Sequence, residues 1–200
     1  MKEHNLVFEE LRLVFMPTRK AASTSIKEAI KAAYPRNNIQ LRSNAEVAET
    51  IRDGWVVTAI VRHPLDRLVS MWRHLVCRDD FYTPFGEFGL RAWMPFPEMV
   101  ERIAETSDDT ADLHFRSQTS LFSYAGKLLP TWVGRFEHLD RAWGDFREIA
   151  RRRGLNLATT LPHMNNTSDG SQWANSYTKD TLSIAQERYR DDLNIWYRAG

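Results

Sequence analysis

The same order of short segments occurs twice in this chain: an apolar run, a small polar loop and an amphipathic helical pattern. Residues 11–16 are mostly apolar, Pro17 interrupts them, and small and hydroxyl-bearing residues lead into a helical stripe at residues 26–33. The second occurrence begins with the β-branched run at residues 55–61, breaks at Arg62, and continues at helical spacing over residues 65–76. Strands that alternate with helices predict a parallel sheet joined by right-handed crossovers.

Further elements extend this pattern to the C-terminus. A third strand is predicted at residues 131–136, with a helix over 139–153 that ends at Gly154. Helices are also predicted at 97–105, 112–124 and around 182–196, and loops at 36–44 and 78–97. The chain is 42% hydrophobic and shows no break in composition, which favours one core. We therefore expect an α/β protein with a single domain over residues 1–200 and a mainly parallel sheet flanked by helices.

Charge and cysteine content exclude several classes of function. Lysine and arginine number 27 against 26 acidic residues, so the basic surface of a general nucleic-acid binder is missing. Cys77 is the only cysteine, which excludes intramolecular disulfides and a cysteine-rich metal site. No apolar run approaches the roughly 18 residues of a membrane span, and the N-terminus lacks a signal-peptide core. We expect a cytoplasmic protein that needs no metal and binds no nucleic acid.

The first polar loop has the composition of an anion-binding site. Arg19 and Lys20 precede two alanines and the run Ser23, Thr24 and Ser25. Small side chains let a ligand approach the backbone, and the amides and dipole at a helix N-terminus favour an anion. The G-x-x-x-x-G-K-[ST] pattern of ATP-binding P-loops is absent, so an ATP-dependent kinase is poorly supported.

The second loop combines a guanidinium with a hydroxyl. Arg62 ends the predicted strand, Ser70 follows eight residues later on the predicted helix, and Arg67 lies between them. An arginine fork and a hydroxyl can bind one phosphate together. Because ligands of such sheets bind beyond the carboxyl ends of the strands, the two loops predict a ligand with two separated anionic groups.

The segments RKAASTSI and VRHPLDRLVS resemble those of the sulfotransferases that use 3′-phosphoadenosine 5′-phosphosulfate (PAPS) as donor. The likeness is greatest to the carbohydrate sulfotransferases of the Golgi, including the heparan sulfate 2-O-sulfotransferase type (sulfotransferase family 2), and to their bacterial relatives. It extends to the segments DLHFRSQ, GRFEHL, LPHMN and YRDDLNIWY. The resemblance implies a P-loop-like sulfotransferase fold.

The resemblance also implies roles for individual residues. Lys20 would meet the oxygen that bridges sulfur and phosphorus and act as an electrophilic catalyst. Arg62 and Ser70 would bind the 3′-phosphate of the donor. The first loop would hold the 5′-phosphosulfate through Arg19, Lys20, Ala22, Ser23, Thr24 and Ser25.

The chain departs from the family pattern at two places. The family's proline directly precedes its lysine, whereas Thr18 and Arg19 intervene here, which makes Arg19 an extra candidate contact to the sulfonate. The histidine base of the 2-O type lies between the two loops, where this chain has no histidine. Our first candidate for the general base is His114, in the segment DLHFRSQ, with Glu46 and Glu49 as alternatives.

These observations predict a PAPS-dependent sulfotransferase that acts on a hydroxyl of an acceptor, with a carbohydrate as the leading choice. The near-neutral net charge also fits a small-molecule or lipid acceptor. A module that binds PAPS, or its product adenosine 3′,5′-bisphosphate, without catalysis is a second class, and a nucleoside kinase would require ATP and Mg²⁺. Trp173 is a candidate either to cover the adenine or to anchor its loop.

Overall fold

The computed structural model describes residues 4–162 and 173–198. The contacts between residues group the chain into two compact units. The first draws its described residues from 1–62 and 120–166, and the second from 63–119 and 167–200. Each unit has an apolar core of its own. In the described residues, no helix is both long and apolar enough to cross a membrane.

Strands and helices alternate along much of the chain. The strands are β1 (Asn5–Phe8), β2 (Leu13–Met16), β3 (Gln40–Arg42), β4 (Val56–Val61), β5 (Ser123–Tyr124), β6 (Lys127–Leu128) and β7 (Trp132–Arg135). The helices are α1 (Ser23–Ala33), α2 (Asn44–Thr50), α3 (Pro64–Met71), α4 (Phe96–Ala104), α5 (Gln118–Leu121), α6 (Leu139–Arg152), α7 (Lys179–Arg188) and α8 (Arg190–Trp196).

The first unit contains a five-stranded sheet in the order β3-β1-β2-β4-β7, and β5 pairs with β6 as a separate hairpin. Strands β2, β4 and β7 are parallel, as the alternation of strands and helices predicts. Strand β1 is antiparallel to both β2 and β3, so the sheet is mixed and the prediction of a mainly parallel sheet is wrong. The physical reason is a tight hairpin, in which the amide of Leu11 bonds the carbonyl of Phe8 at 3.2 Å.

Strand β3 also corrects a prediction, because residues 36–44 were expected to be a loop. A short 3₁₀ turn at Arg36–Asn38 precedes the strand, which pairs with β1 at the edge of the sheet. Its residues are half-buried or exposed, and the side chain of Leu41 is 61% exposed. An edge strand tolerates such polar composition, which made this segment resemble a loop.

Helices α1 and α6 cover one face of the sheet. Ile26 and Ile30 of α1 and Phe146 of α6 join the core of the first unit, where the rings of Phe15 and Phe146 lie 5.5 Å apart. Gly134 of β7 permits a close approach of α6. A Cβ atom there would lie 2.7 Å from the Trp132 ring and 2.8 Å from the Cβ atom of Ala142.

The second unit is built on helices α3, α4 and α7. Helix α3 continues into a π-helical turn at Trp72–Val76. Residues 78–97, expected to be a surface loop, contain a 3₁₀ helix at Thr83–Phe88 and bury Phe85, Leu90 and Met94 in the core. The helix predicted over 112–124 is reduced to α5, because side-chain hydrogen bonds hold the preceding residues in an irregular conformation.

Candidate functional site

Residues 17–22 connect β2 to α1 and include two strained positions. Lys20 and Ala22 have φ angles of +70° and +57°. A residue with a Cβ atom rarely adopts this left-handed conformation, which costs about 1–2 kcal/mol. Strain of this kind clusters in loops that hold ligands. The backbone preferences of Lys20 and Ala22 therefore do not explain the conformation of this loop.

The N-terminus of α1 presents backbone amides for an anion. Ser23, Thr24 and Ser25 are its first three residues, and their amides have no acceptor within the helix. The first helical bond runs from the amide of Ile26 to the carbonyl of Ala22 at 3.1 Å. The N-cap residue, Ala22, makes no side-chain hydrogen bond to these amides. Ser23 and Ser25 are buried and Thr24 is exposed.

Arg62 brings the second predicted loop to the first. It directly follows β4, and its Nη1 donates a hydrogen bond to the carbonyl oxygen of Lys20 at 2.9 Å. Its guanidinium also lies 4.4 Å from the ring centroid of Phe136, which directly follows β7. Because β2, β4 and β7 are parallel, their carboxyl ends lie at one edge of the sheet. The sheet thus places Lys20, Arg62 and Phe136 together.

The electrostatics at this edge favour an anionic ligand. Burial, and then the nearby charge of Arg62, lowers the pKa of Lys20 from its ordinary value of 10.5 to about 8. In the part of the chain that the structure describes, no carboxylate forms an ion pair with Lys20. The surroundings of Lys20 therefore disfavour its charged form, and an anion bound beside the lysine would stabilise that form again.

Thr18 in this loop is a residue that sequence reasoning treated only as an insertion. Its side chain is 1% exposed, and its hydroxyl has no hydrogen-bond partner among the described residues. Its carbonyl accepts a bond from the amide of Ala21 at 3.2 Å, which tightens the turn. The sequence offered no signal for this feature, because only the folded loop determines that the Thr18 hydroxyl is buried without a partner. Arg19 is half-buried.

Ser70 belongs to the second unit and lies on α3. It is 3% exposed, and its hydroxyl has no hydrogen-bond partner in the ranges 4–162 and 173–198. Leaving a buried hydroxyl without a partner costs about 1–3 kcal/mol. A ligand oxygen would satisfy it, in keeping with the role that the sequence predicted for this residue.

His114, also in the second unit, is paired with a carboxylate. Its ring Nδ1 lies 2.6 Å from Oδ1 of Asp112, which also accepts a bond from the His114 backbone amide at 2.9 Å. Burial alone would raise the pKa of Asp112, but the bonds from His114 outweigh it and hold this pKa below its usual value. His114 is among the residues predicted from the sequence and Asp112 is not, although the spacing D-x-H offered a signal.

Buried side chains hold the backbone on either side of His114. Nη2 of Arg67 donates to the carbonyl oxygens of His114 at 3.1 Å and Arg116 at 2.5 Å. The hydroxyl of Tyr189 donates to the carbonyl of Phe115 at 2.6 Å. These carbonyls would otherwise have entered helical hydrogen bonds, which explains why the predicted helix is absent before α5.

The other predicted residues have local roles. Glu46 caps α2, where its carboxylate accepts bonds from the amide and hydroxyl of Ser43 at 2.7 Å each. Glu49 is exposed on the same helix. Trp173 stacks on His63 with ring centroids 4.8 Å apart, which fits a loop anchor.

Residues 163–165 of the segment LPHMN lie outside the described residues. Within the described ranges, no cluster of three or more His, Cys, Asp or Glu residues has the arrangement of a metal site.

Comparison with known protein families supports the sequence reasoning. A sequence profile described as "Sulfotransferase family" matches residues 3–198. Searches of curated proteins and of solved structures give no significant match. The profile covers nearly the whole chain, including both cationic loops and the segment around His114. The chain therefore belongs to the sulfotransferase family.

Proposed function

We propose that this sulfotransferase takes its sulfuryl group from PAPS and transfers it to a hydroxyl of a carbohydrate. The observation that carries the proposal is the contact between Arg62 and Lys20 at the carboxyl ends of β4 and β2, beside the open N-terminus of α1. Two cationic residues at one helix N-terminus suit a donor with several anionic groups. When bound, the donor supplies a sulfuryl group on a phosphate that can leave.

The residues of the first loop suit the 5′-phosphosulfate end of the donor. The amides of Ser23, Thr24 and Ser25 lack acceptors in α1, and phosphate oxygens are suitable acceptors for them. The positive φ of Ala22 turns the chain into this helix end. Arg19 and Lys20 add positive charge on the same loop.

The 3′-phosphate is assigned to Arg62 and Ser70. A guanidinium can make two parallel bonds to a phosphate, and a serine hydroxyl can add a third. The buried, unpartnered hydroxyl of Ser70 supports this assignment, because a ligand oxygen would remove the cost of burying it. Arg62 connects the two parts of the proposal, since it also bonds the backbone of Lys20.

Lys20 is proposed to stabilise the negative charge that develops on the departing phosphate. Sulfuryl transfer resembles loose phosphoryl transfer, in which alignment and charge stabilisation supply most of the catalysis. A half-buried ammonium group serves this purpose better than an exposed one, because water screens it less. The ammonium form is the form required, so the lowered pKa of Lys20 matters for activity.

His114 is proposed as the general base. The acceptor oxygen forms a bond to sulfur, the bond from sulfur to the phosphate oxygen breaks, and the hydroxyl proton passes to the imidazole. The contact of His114 with Asp112 supports the assignment, because a carboxylate partner is common for catalytic histidines. The alternative base Glu46 already accepts two bonds in its helix cap.

The family match includes segments of both units, which supports one P-loop-like sulfotransferase domain over residues 1–200.

The test is transfer of radiolabelled sulfuryl groups from PAPS to three panels of acceptors: oligosaccharides, phenolic small molecules and hydroxylated lipids. Labelled oligosaccharide is the expected product. Labelling confined to phenols or lipids would retain the donor and replace the acceptor class. Binding of adenosine 3′,5′-bisphosphate without transfer to any panel would favour the non-catalytic module.

A further inference from the structure

We propose that Asp112 is the positioning residue of His114: its carboxylate fixes the imidazole in the orientation and tautomer of a general base. The inference rests on the proposed function only for the role of His114 as the general base. The evidence for the positioning role itself is the geometry of the Asp112–His114 pair and of the backbone around it.

The carboxylate of Asp112 holds His114 at two points. Oδ1 lies 2.6 Å from ring Nδ1 and accepts the backbone amide of His114 at 2.9 Å. The side chains are only 8% and 11% exposed for Asp112 and His114. Rotation of either side chain would therefore break a hydrogen bond in a place that water barely reaches.

Two aromatic rings restrict the imidazole from other directions. The rings of Tyr82 and Phe85 meet it edge to face at centroid distances of 5.4 Å and 5.6 Å. Packing and hydrogen bonding thus act on the same ring. A side chain held in this way has already lost the freedom that it would otherwise lose when a substrate binds.

The backbone that carries the pair is also fixed. Arg67 reaches from α3 to the carbonyl of His114, and Tyr189 reaches from the end of α7 to the carbonyl of Phe115. The guanidinium of Arg116 donates to the carbonyl of Ala111 at 2.8 Å. The guanidinium groups of Arg67 and Arg116, which hold this backbone, are both engaged with carbonyl oxygens.

The pairing of Nδ1 with Asp112 favours one path for the proton. A neutral imidazole that donates from Nδ1 to Asp112 carries its proton there, so Nε2 is the atom that takes the proton of the acceptor hydroxyl. The ring becomes an imidazolium, and the adjacent carboxylate stabilises that positive charge without accepting the proton itself.

The test compares Asp112→Asn, His114→Asn and the double variant. Asp112→Asn is expected to lower kcat/KM by about 10²-fold, the lower end of the range for general acid–base catalysis. The double variant should lose no more than His114→Asn alone, because Asp112 acts through His114. Affinity for adenosine 3′,5′-bisphosphate should stay unchanged in all three, which checks that the donor site is folded. Asp112→Glu should recover part of the rate.

The pH profile separates positioning from a structural role. The rising limb of kcat/KM should move to lower pH in Asp112→Asn, because the imidazolium loses its anionic neighbour. If Asp112→Asn lowers kcat/KM as much in the His114→Asn background as in the wild-type protein, the proposal is overturned. Full activity of His114→Asn would overturn both the base and its positioning residue while leaving sulfuryl transfer intact. Failure of the wild-type protein to bind the bisphosphate would instead refute the proposed donor.

Discussion

The guanidinium of Arg62 donates a hydrogen bond of 2.9 Å to the backbone carbonyl of Lys20. This bond joins the loops that follow two parallel strands, so the position of the lysine depends on the arginine. The charge of Arg62 also contributes to the lowered pKa of Lys20. Arg62 therefore helps to fix the backbone of Lys20, while burial, and then the charge of Arg62, lowers the pKa of the lysine.

Lys20→Ala should reduce kcat by about 10²–10³-fold, the usual cost of removing one group that stabilises charge in a transition state. Steady-state transfer of label from PAPS measures this change. Lys31→Ala is the matched control, because Lys31 lies on α1 and pairs with Glu28 at the surface. Comparable losses in the two variants would argue against a specific role for Lys20.

Binding of adenosine 3′,5′-bisphosphate should take up a proton above pH 8. Since burial and Arg62 lower the pKa of Lys20 from 10.5 to about 8, the folded protein loses this proton before the unfolded chain does. The contribution of Lys20 to the free energy of unfolding therefore rises with pH between these two values, and the charged lysine is disfavoured below them. A bound anion favours the charged form again and restores the proton.

Calorimetry in two buffers with different ionisation enthalpies measures this proton uptake. The uptake should disappear in Lys20→Arg, because a guanidinium stays charged throughout this range. The same uptake in both proteins would assign the proton to another group.

Ser70→Ala should weaken binding of adenosine 3′,5′-bisphosphate by about tenfold or more, because a hydrogen bond to a charged group contributes at least about 1.5 kcal/mol. Its unfolding temperature should stay the same or rise, since the buried hydroxyl has no protein partner among the described residues. Adenosine 5′-phosphate should bind both proteins equally. A fall in unfolding temperature with unchanged affinity would make Ser70 a structural residue.

Ala22→Gly should raise the free energy of unfolding by up to about 1 kcal/mol, because glycine adopts the left-handed conformation without a steric cost. Ala22 has a φ angle of +57° at the start of α1. Ala32→Gly, at an exposed position in the last turn of the same helix, should lower the free energy of unfolding by up to about 1 kcal/mol. Urea unfolding of both variants tests this contrast. A lower free energy of unfolding in Ala22→Gly as well as in Ala32→Gly would contradict the strain at Ala22.

The sequence predicted the parallel strands of the sheet and the loops that follow β2 and β4, because both depend on local patterns. Buried strands such as β4 are almost wholly apolar, and the residues after them are cationic. Strand β3 could not be found in this way, because half-exposed edge residues have the composition of a loop. Strand β1 has only four residues beside a charged terminus, too short a run to stand out.

Other features of the site depend on contacts between distant residues. The apolar spacing of residues 112–124 predicted a helix, yet Arg67 and Tyr189 take the carbonyls of His114 and Phe115. These partners lie 47 and 74 residues away in the chain. The bond between Arg62 and the carbonyl of Lys20 is likewise invisible in the sequence, because it involves a backbone atom.

Calorimetric binding of adenosine 3′,5′-bisphosphate, compared with adenosine 5′-phosphate and ATP, tests the central claim most directly. A donor site for PAPS predicts that the 3′,5′-bisphosphate, which carries both phosphates of the spent donor, binds most tightly. Arg62→Lys should reduce that preference, because lysine lacks the second arm of the fork. Equal binding of adenosine 5′-phosphate, or tighter binding of ATP with Mg²⁺, would contradict a PAPS-dependent sulfotransferase.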